Sequence, residues 1–141
     1  MPFREKSAWI MFFALLLGGV FYFRAVASMS AGLGELAQPN LRLVIVFTAA
    51  LVILAGVGHI VAAVFAPREA NGVVDERERR IFDRAGHLSG YVFGFGVVPS
   101  LGAYLFTQDG NLLFYCVFAS LMVSQLAEYV VQIFLYRTVF D

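Results

Sequence analysis

The last apolar stretch of this sequence carries an acid, Glu128, in a part of the chain that is expected to cross a membrane. Ser124, Glu128 and Gln132 recur every four residues and share one helix face, and Gln125 lies three residues before the acid. A charged group at the centre of a bilayer costs about 2.5–3.5 kcal/mol on insertion scales, so this face is expected to point into the bundle, a water cavity or a partner chain. Two interpretations are open: a proton or cation site, or a protonated carboxyl group that hydrogen-bonds to another helix.

His59 is the residue that would make Glu128 a proton-transfer site. It lies seven residues before the end of the second apolar stretch, and Glu128 lies eight residues before the end of the fourth, so both are expected at nearly the same depth. A histidine beside a carboxyl group can exchange a proton near neutral pH. The alternative is a solitary histidine whose ring hydrogen-bonds to a backbone carbonyl group.

Other kinds of chemistry find little support in the sequence. The two histidines, His59 and His87, are expected at different depths, which disfavours a haem held between them. The single cysteine, Cys116, cannot form a disulfide within one chain. No glycine-rich phosphate loop, nucleophile elbow or metalloprotease helix motif occurs. We therefore predict no catalytic residues, no metal site and no cofactor, and no nucleic-acid partner.

The candidate residues lie on four apolar stretches, each long enough to cross a bilayer. A membrane-spanning helix needs about 20 residues, and little of the 141-residue chain remains outside these stretches. Hydrophobic residues make up 60% of the chain, against about 45–50% in soluble domains. Because the apolar runs are continuous and not alternating, they predict helices and not a β-barrel. We predict one all-α domain, 1–141, an integral membrane bundle of four transmembrane helices with the spans Ser7–Met29, Leu43–Ala66, Leu88–Thr107 and Asn111–Tyr136.

Basic residues are concentrated on one side of these spans. Eight of the ten precede the first span, separate the second from the third, or follow the fourth: Arg4, Lys6, Arg68, Arg77, Arg79, Arg80, Arg84 and Arg137. Only Arg24 and Arg42 lie on the other side. Loops rich in Lys and Arg stay in the cytoplasm. We therefore predict a multi-pass protein of the inner (plasma) membrane with both termini in the cytoplasm.

The first span has a second interpretation. The basic start, the apolar run that follows and the Ala25-Val26-Ala27 triplet resemble the three parts of a secretory signal peptide. Glu5 within the basic part and Arg24 directly before the triplet argue against cleavage. We therefore expect an uncleaved helix.

The third span carries a packing signal. Gly86, Gly90 and Gly94 recur every four residues and share one face. In lipid, where no hydrophobic force drives helices together, glycine lets two backbones approach closely. We predict that this face packs tightly on a neighbouring helix, either of the same chain or of a second chain. Pro99, further along, is expected to bend the span.

The two halves of the chain show weak internal similarity. Asn40-Leu41 precedes the second span, Asn111-Leu112 opens the fourth, and at this offset Val46-Phe47 matches Val117-Phe118. Both hairpins would start on the same side, so a duplication would give two parallel helical hairpin repeats. The alternative is chance similarity between apolar helices that use few residue types.

A charged segment, 74–87, lies between the second and third spans. Its charges pair at i,i+4 spacing and its apolar residues form a stripe, which predicts an amphipathic helix that either continues into the third span or breaks near Gly86. Its basic residues, Arg77, Arg79, Arg80 and Arg84, are expected to contact anionic lipid, at about 1 kcal/mol each, or a cytoplasmic partner.

Two short motifs suggest a family. The entry Phe3-Arg4-Glu5-Lys6-Ser7-Ala8-Trp9 and the Asp75-Glu76-Arg77-Glu78-Arg79 segment before the third span resemble small bacterial inner-membrane proteins of about this length that have no assigned activity. The resemblance covers the layout of the whole chain. It implies a bacterial inner-membrane location and no catalytic residues.

Two functions from different classes fit these observations. The first is a non-enzymatic membrane protein that acts by self-association (a homo-oligomer) or as an accessory to another membrane protein. The second is a small proton-coupled transporter that uses Glu128 with His59. Small four-helix drug exporters are similar in layout and use a buried glutamate as dimers, but they carry the acid in the first helix and not in the fourth. A water-filled cavity at Glu128 would favour transport.

The predicted topology can be tested by cysteine labelling. In a Cys116→Ala background, single cysteines near Glu69 and at Asp141 are expected to react only with reagents that reach the cytoplasm, because they follow the basic side of the chain. A cysteine near Glu35 is expected to react from outside. Opposite accessibility of positions 69 and 141 would contradict the four-span topology.

Overall fold

The chain folds into helices only, over all the residues that the structure describes. The computed structural model describes residues 3–70 and 72–140; residues 1, 2, 71 and 141 of the predicted domain lie outside this range. The helices are α1 (Phe3–Leu33), α2 (Leu41–Phe65), α3 (Pro67–Ala70), α4 (Glu76–Thr107) and α5 (Gly110–Phe140). Four of them, α1, α2, α4 and α5, are long and apolar enough to cross a membrane. The predicted all-α fold with four membrane-length helices is confirmed.

The first hairpin owes its ends to residues with special backbone or side-chain properties. Gly34, with φ of 70°, follows α1 and takes a left-handed conformation that glycine adopts without strain. Asn40 precedes α2, and its side-chain oxygen accepts a hydrogen bond of 2.9 Å from the backbone N–H of Arg42. At the other end of α2, Pro67 follows directly after Ala66 and begins the short helix α3.

The second hairpin turns in two residues. Gln108 ends α4 with φ of 53°, in the left-handed region. Asp109 then accepts hydrogen bonds from the backbone N–H groups of Asn111 (3.0 Å) and Leu112 (3.2 Å), which caps α5. A link this short makes α4 and α5 antiparallel neighbours.

The charged segment and the third span form one helix. The predicted amphipathic segment, 74–87, and the predicted span, 88–107, are both contained almost entirely in α4, which continues through Gly86 and Pro99. The first of the two alternatives for this segment is therefore correct. The bend expected at Pro99 stays a prediction.

The four long helices pack side by side in the order α2, α1, α5, α4. Backbones approach within 8 Å between α4 and α5, between α1 and α2, and between α1 and α5; over the described residues α2 comes this close to neither α4 nor α5. The two hairpins thus meet through α1 and α5, and α2 and α4 form the two edges. The two central helices are the first of one hairpin and the second of the other, so this order gives the predicted parallel repeat no support.

The core lies where α1, α2 and α5 meet. Tyr22 of α1 is fully buried, and its ring lies 4.8 Å from that of Phe118 and 5.6 Å from that of Phe47, measured between centroids. Phe47 is the one buried residue of α2. Such aromatic pairs contribute about 0.5–1.5 kcal/mol each beyond the area they bury.

Close approach between α4 and α5 occurs at Gly96. A Cβ placed on this residue would fall 2.6 Å from the Cβ of Ser120 and 3.4 Å from its Cα. The side chain of Ser120 on α5 therefore occupies the space that a side chain at position 96 would need. Gly58 is similar, because a Cβ there would fall 2.5 Å from Cγ2 of Ile10 on α1.

The glycine face predicted to pack is open. A Cβ placed on Gly86, Gly90 or Gly94 would meet no atom within 4 Å. The reason is the orientation of α4, which turns the side of Ser89 and Gly96 toward α5 and leaves these three glycines on its flank. The structure does not show the first alternative, packing on a helix of the same chain; packing on a second chain stays a prediction.

Two alanine substitutions test the contact at Gly96. Gly96→Ala is expected to lower the free energy of unfolding by about 1–3 kcal/mol, the usual cost of overpacking, because its Cβ meets Ser120. Gly90→Ala, on the same helix, is the matched control and is expected to be neutral or to stabilise by up to about 1 kcal/mol through helix propensity. Unfolding of the purified protein by SDS in micelles measures both. Equal losses for the two variants would contradict the close contact.

Candidate functional site

Glu128 lies between α4 and α5 and is contacted from both helices. Its Oε2 is 3.4 Å from the hydroxyl of Ser89 on α4, and its Oε1 accepts a hydrogen bond of 3.3 Å from the side-chain amide of Gln132. Ser89 and Gln132 are buried, and Glu128 is half-buried. The acid thus makes a polar contact across helices, which was one of the two interpretations of its sequence context.

Ser89 suits the acid in either protonation state. Its hydroxyl is also 2.9 Å from the carbonyl oxygen of Gly86. A hydroxyl has one hydrogen and two lone pairs. When the hydroxyl of Ser89 donates its hydrogen to the Gly86 carbonyl, its oxygen can accept a hydrogen bond from a protonated Glu128. When the hydroxyl hydrogen points to Glu128 instead, Ser89 donates to a carboxylate.

The other predicted polar residues of α5 do not reach Glu128. Ser124 is buried, but its hydroxyl donates to the carbonyl oxygen of Leu121 in its own helix, at 2.8 Å. Gln125 is half-buried and has no hydrogen-bond partner among the described residues. Of the set predicted from spacing, the structure brings together Glu128 and Gln132. The structure adds Ser89 to this site. Ser89 is one of two serines in the third span, and no sequence pattern indicated that it faces α5.

His59 does not pair with Glu128. Its Nδ1 lies 2.6 Å from the carbonyl oxygen of Ala55, and its Nε2 lies 2.5 Å from the hydroxyl of Ser7 on α1. Because a carbonyl oxygen only accepts, Nδ1 carries a hydrogen, and in the neutral ring Nε2 accepts from Ser7. Equal depth did not make the two residues neighbours, because α1 lies between α2 and α5 in the row. The bond to a backbone carbonyl is the one that the alternative interpretation expected, but the histidine is not solitary, because it also bonds to Ser7.

An apolar groove runs between α4 and α5 toward the end where the two helices are linked. Its volume is about 450 Å³, and it is lined by Phe93, Gly110, Leu113, Phe114, Val117, Phe118 and Leu121. Three further clefts of about 460–640 Å³ open elsewhere on the described surface. Glu128 lines none of these four cavities. We call the first one the α4–α5 groove.

An ion pair between a buried acid and an exposed arginine joins the start of α1 to the end of α5. Glu5 is only 4% exposed, and its Oε1 is 3.2 Å from Nε of Arg137. The Arg137 guanidinium also lies 5.7 Å from the ring centre of Trp9. Sequence analysis missed this pair, although an acid between Arg4 and Lys6 at the start of an apolar helix was a visible signal.

A second ion pair joins α1 to the edge helix α4. Nε of Arg4 lies 3.0 Å from Oε2 of Glu78, and its guanidinium lies 5.7 Å from the ring centre of Phe82. The two pairs lie at the same end of the row, where α1 and α4 begin and α2 and α5 end. We call it the basic end.

The predicted basic segment divides into two groups. Arg77, Arg80 and Arg84 line a cleft at the basic end, and Arg79 is not among its lining residues. Arg80 lies 3.9 Å from Glu76, but both side chains are more than 80% exposed, so this pair contributes little to stability. His87 makes an edge contact with the ring of Tyr91, with centroids 5.9 Å apart.

No protein family, curated protein or solved structure matches the chain. The resemblance to small bacterial inner-membrane proteins therefore stays a prediction. Among the described residues, no group of three or more His, Cys, Asp or Glu side chains is placed to share a metal ion.

The Glu5–Arg137 pair predicts a specific stability pattern. Arg137→Gln leaves the buried Glu5 without its cation and is expected to lower the free energy of unfolding by about 1.5–3 kcal/mol, the range for hydrogen bonds to charged groups. Arg24→Gln is the matched control, since Arg24 is exposed and has no partner among the described residues. The double variant Glu5→Gln with Arg137→Gln is expected to lose less than the single one, because no unpaired charge stays buried. Thermal unfolding in detergent measures these three variants and the single variant Glu5→Gln. A double variant that loses the sum of both single effects would contradict the pairing.

Proposed function

We propose that this chain is a small multi-pass protein of the bacterial inner membrane, with both termini in the cytoplasm, that acts by association and not by catalysis. The uneven distribution of Lys and Arg supports the orientation. The resemblance of its two short motifs to those of small bacterial inner-membrane proteins supports the proposed location. For the association, we propose a second copy of the same chain as partner, bound along the α4–α5 groove.

The observation that carries this proposal is the position of Glu128 and Gln125 beside the open groove. Leu121 lines the groove, and Gln125 and Glu128 follow it by four and seven residues, so all three lie on one face of α5. Both polar side chains are half-buried. A carboxyl and an amide left partly bare in lipid are costly, and a second helix that covers them removes that cost.

The facing side of α4 is shaped for close approach. Phe93 lines the same groove, and Gly90 and Gly86 precede it by three and seven residues, on one face of α4. A Cβ on either glycine would meet nothing within 4 Å, so another backbone has room there. The surface between α4 and α5 therefore has an apolar half, which is the α4–α5 groove at the linked end, and a glycine-lined, polar half near Glu128, outside the groove.

A dimer with its two-fold axis along the membrane normal would give the polar side chains of this half hydrogen-bond partners. Such an axis brings residues of equal depth together, and a dimer of this kind uses the same surface of both chains. Gln125 and Glu128 are three residues apart, about 4.5 Å along the helix. The amide of Gln125 can then donate to the partner's Glu128, and the reverse contact forms at the same time. Hydrogen bonds between helices in a membrane contribute about 0.6 kcal/mol on average.

The contacts of His59 favour association over transport by a Glu128–His59 relay. His59 bonds to Ser7 on the far side of α1 from α5, and Glu128 lines none of the four cavities described above. Association does not require that relay.

Energy transfer between labelled chains in liposomes tests the dimer. Wild-type chains carrying donor or acceptor dyes at the N-terminus are expected to show transfer that rises with protein-to-lipid ratio and saturates. Gly90→Leu is expected to raise the dimer dissociation constant at least about tenfold, equivalent to about 1.4 kcal/mol, because the side chain fills the space a partner helix needs. Glu128→Leu is expected to weaken the dimer, and Glu128→Gln to retain it, since the amide keeps a donor and an acceptor.

The matched control is Gly102→Leu. Gly102 is also open on α4, but it lies nine residues from Phe93 and so on the opposite face of the helix. It is expected to leave the dimer intact. A chain that stays monomeric at every density, or equal effects at positions 90 and 102, would refute the proposal. A different membrane protein that co-purifies with a monomeric chain would point to the accessory role instead.

A further inference from the structure

The basic end carries a cleft that is separate from the α4–α5 groove. It lies between the start of α4 and the last turns of α5, and its volume is about 510 Å³. Its lining residues are Asp75, Glu76, Arg77, Arg80, Ile81, Arg84 and Leu135. None of them lines the α4–α5 groove.

Three arginines form one wall of this cleft. Arg77, Arg80 and Arg84 are spaced i, i+3 and i+7, so their side chains leave α4 on one face. Arg84 has no hydrogen-bond or ion-pair partner among the described residues, and Arg80 has only its exposed contact with Glu76. Guanidinium groups in this arrangement offer planar, paired donors of the kind that bind phosphate oxygens.

The floor of the cleft is apolar and continues into the membrane-spanning surface. Ile81 is buried, and Leu135 belongs to the apolar part of α5. Arg84 stands four residues before Leu88, where the apolar stretch of α4 begins. A ligand that fits both parts has a phosphate group at the water interface and a hydrocarbon chain beside it. Free phosphate or an acidic peptide would leave the floor uncovered.

We propose that this cleft binds the headgroup of an anionic phospholipid, a phosphodiester with one negative charge and hydroxyl groups, as in phosphatidylglycerol. The three arginines and the two acids of the lining leave a net charge of +1, which matches a singly charged phosphodiester. Asp75 and Glu76 can accept hydrogen bonds from headgroup hydroxyls and repel a doubly charged phosphate monoester. One acyl chain then lies on α5 beside Leu135.

The experiment is native mass spectrometry of the full chain released from micelles that contain defined lipids. Wild type is expected to retain one phosphatidylglycerol in preference to phosphatidylcholine. Arg84→Gln is expected to weaken retention about fivefold, the effect of one Arg–lipid contact near the surface. Arg79→Gln is the matched control, because it removes the same charge from the same helix but lies outside the cleft. It is expected to retain the lipid as wild type does.

Further measurements distinguish the anionic phospholipid from other ligands of the cleft. Glycerophosphoglycerol, the deacylated headgroup and itself a singly charged phosphodiester, is expected not to compete. Displacement of the lipid by it would assign the cleft to a soluble phosphodiester. Glu76→Gln is expected to raise the retention of phosphatidic acid relative to phosphatidylglycerol. Equal losses for Arg84→Gln and Arg79→Gln, or equal retention of the two wild-type lipids, would overturn the proposal and leave only general attraction between a basic surface and anionic lipid. Because the cleft and the groove share no residue, a failed dimer test leaves this result unaffected.

Discussion

The seam between α1 and α5 holds the two hairpins of this protein together. In lipid, association has no hydrophobic driving force and rests on packing and polar contacts. The seam has a contact of this kind at each of three levels. Buried Glu5 pairs with Arg137 at the basic end, and the rings of Tyr22 and Phe118 pack at a tilt in the middle. At the far end, the Tyr115 hydroxyl donates a hydrogen bond of 2.8 Å to a backbone carbonyl of the link between α1 and α2. Without this seam the chain would be two separate hairpins.

An open row follows from that single seam. Each edge helix packs on one neighbour over most of its length, and α2 buries only Phe47. The flank of α4 is open for the same reason, so a Cβ on Gly86, Gly90 or Gly94 would meet no atom of the described residues within 4 Å. The proposed dimer is a consequence of this openness: a row of four helices has faces left over that a closed bundle would have buried.

Charge is used in two ways at the basic end. Arg4 and Arg137 are engaged within the protein, each with an acid and an aromatic ring, and they connect α1 to both helices of the second hairpin. The arginines of the cleft face outward at the level where α4 enters its apolar stretch. The first group joins the two hairpins, and the second group lines the cleft for which we propose a lipid headgroup.

Sequence alone determined the properties that depend on one helix at a time. Composition and run length predicted four spans, and the helical period placed Glu128 and Gln132 on one face, where they are hydrogen-bonded. Tertiary structure decided which residue meets which: His59 contacts Ser7, Glu128 contacts Ser89, and Gly96 is the close-contact glycine of α4. The physical reason is that depth and face follow from local periodicity, whereas the order of the helices depends on how whole surfaces fit, and apolar helices in lipid offer many nearly equivalent choices.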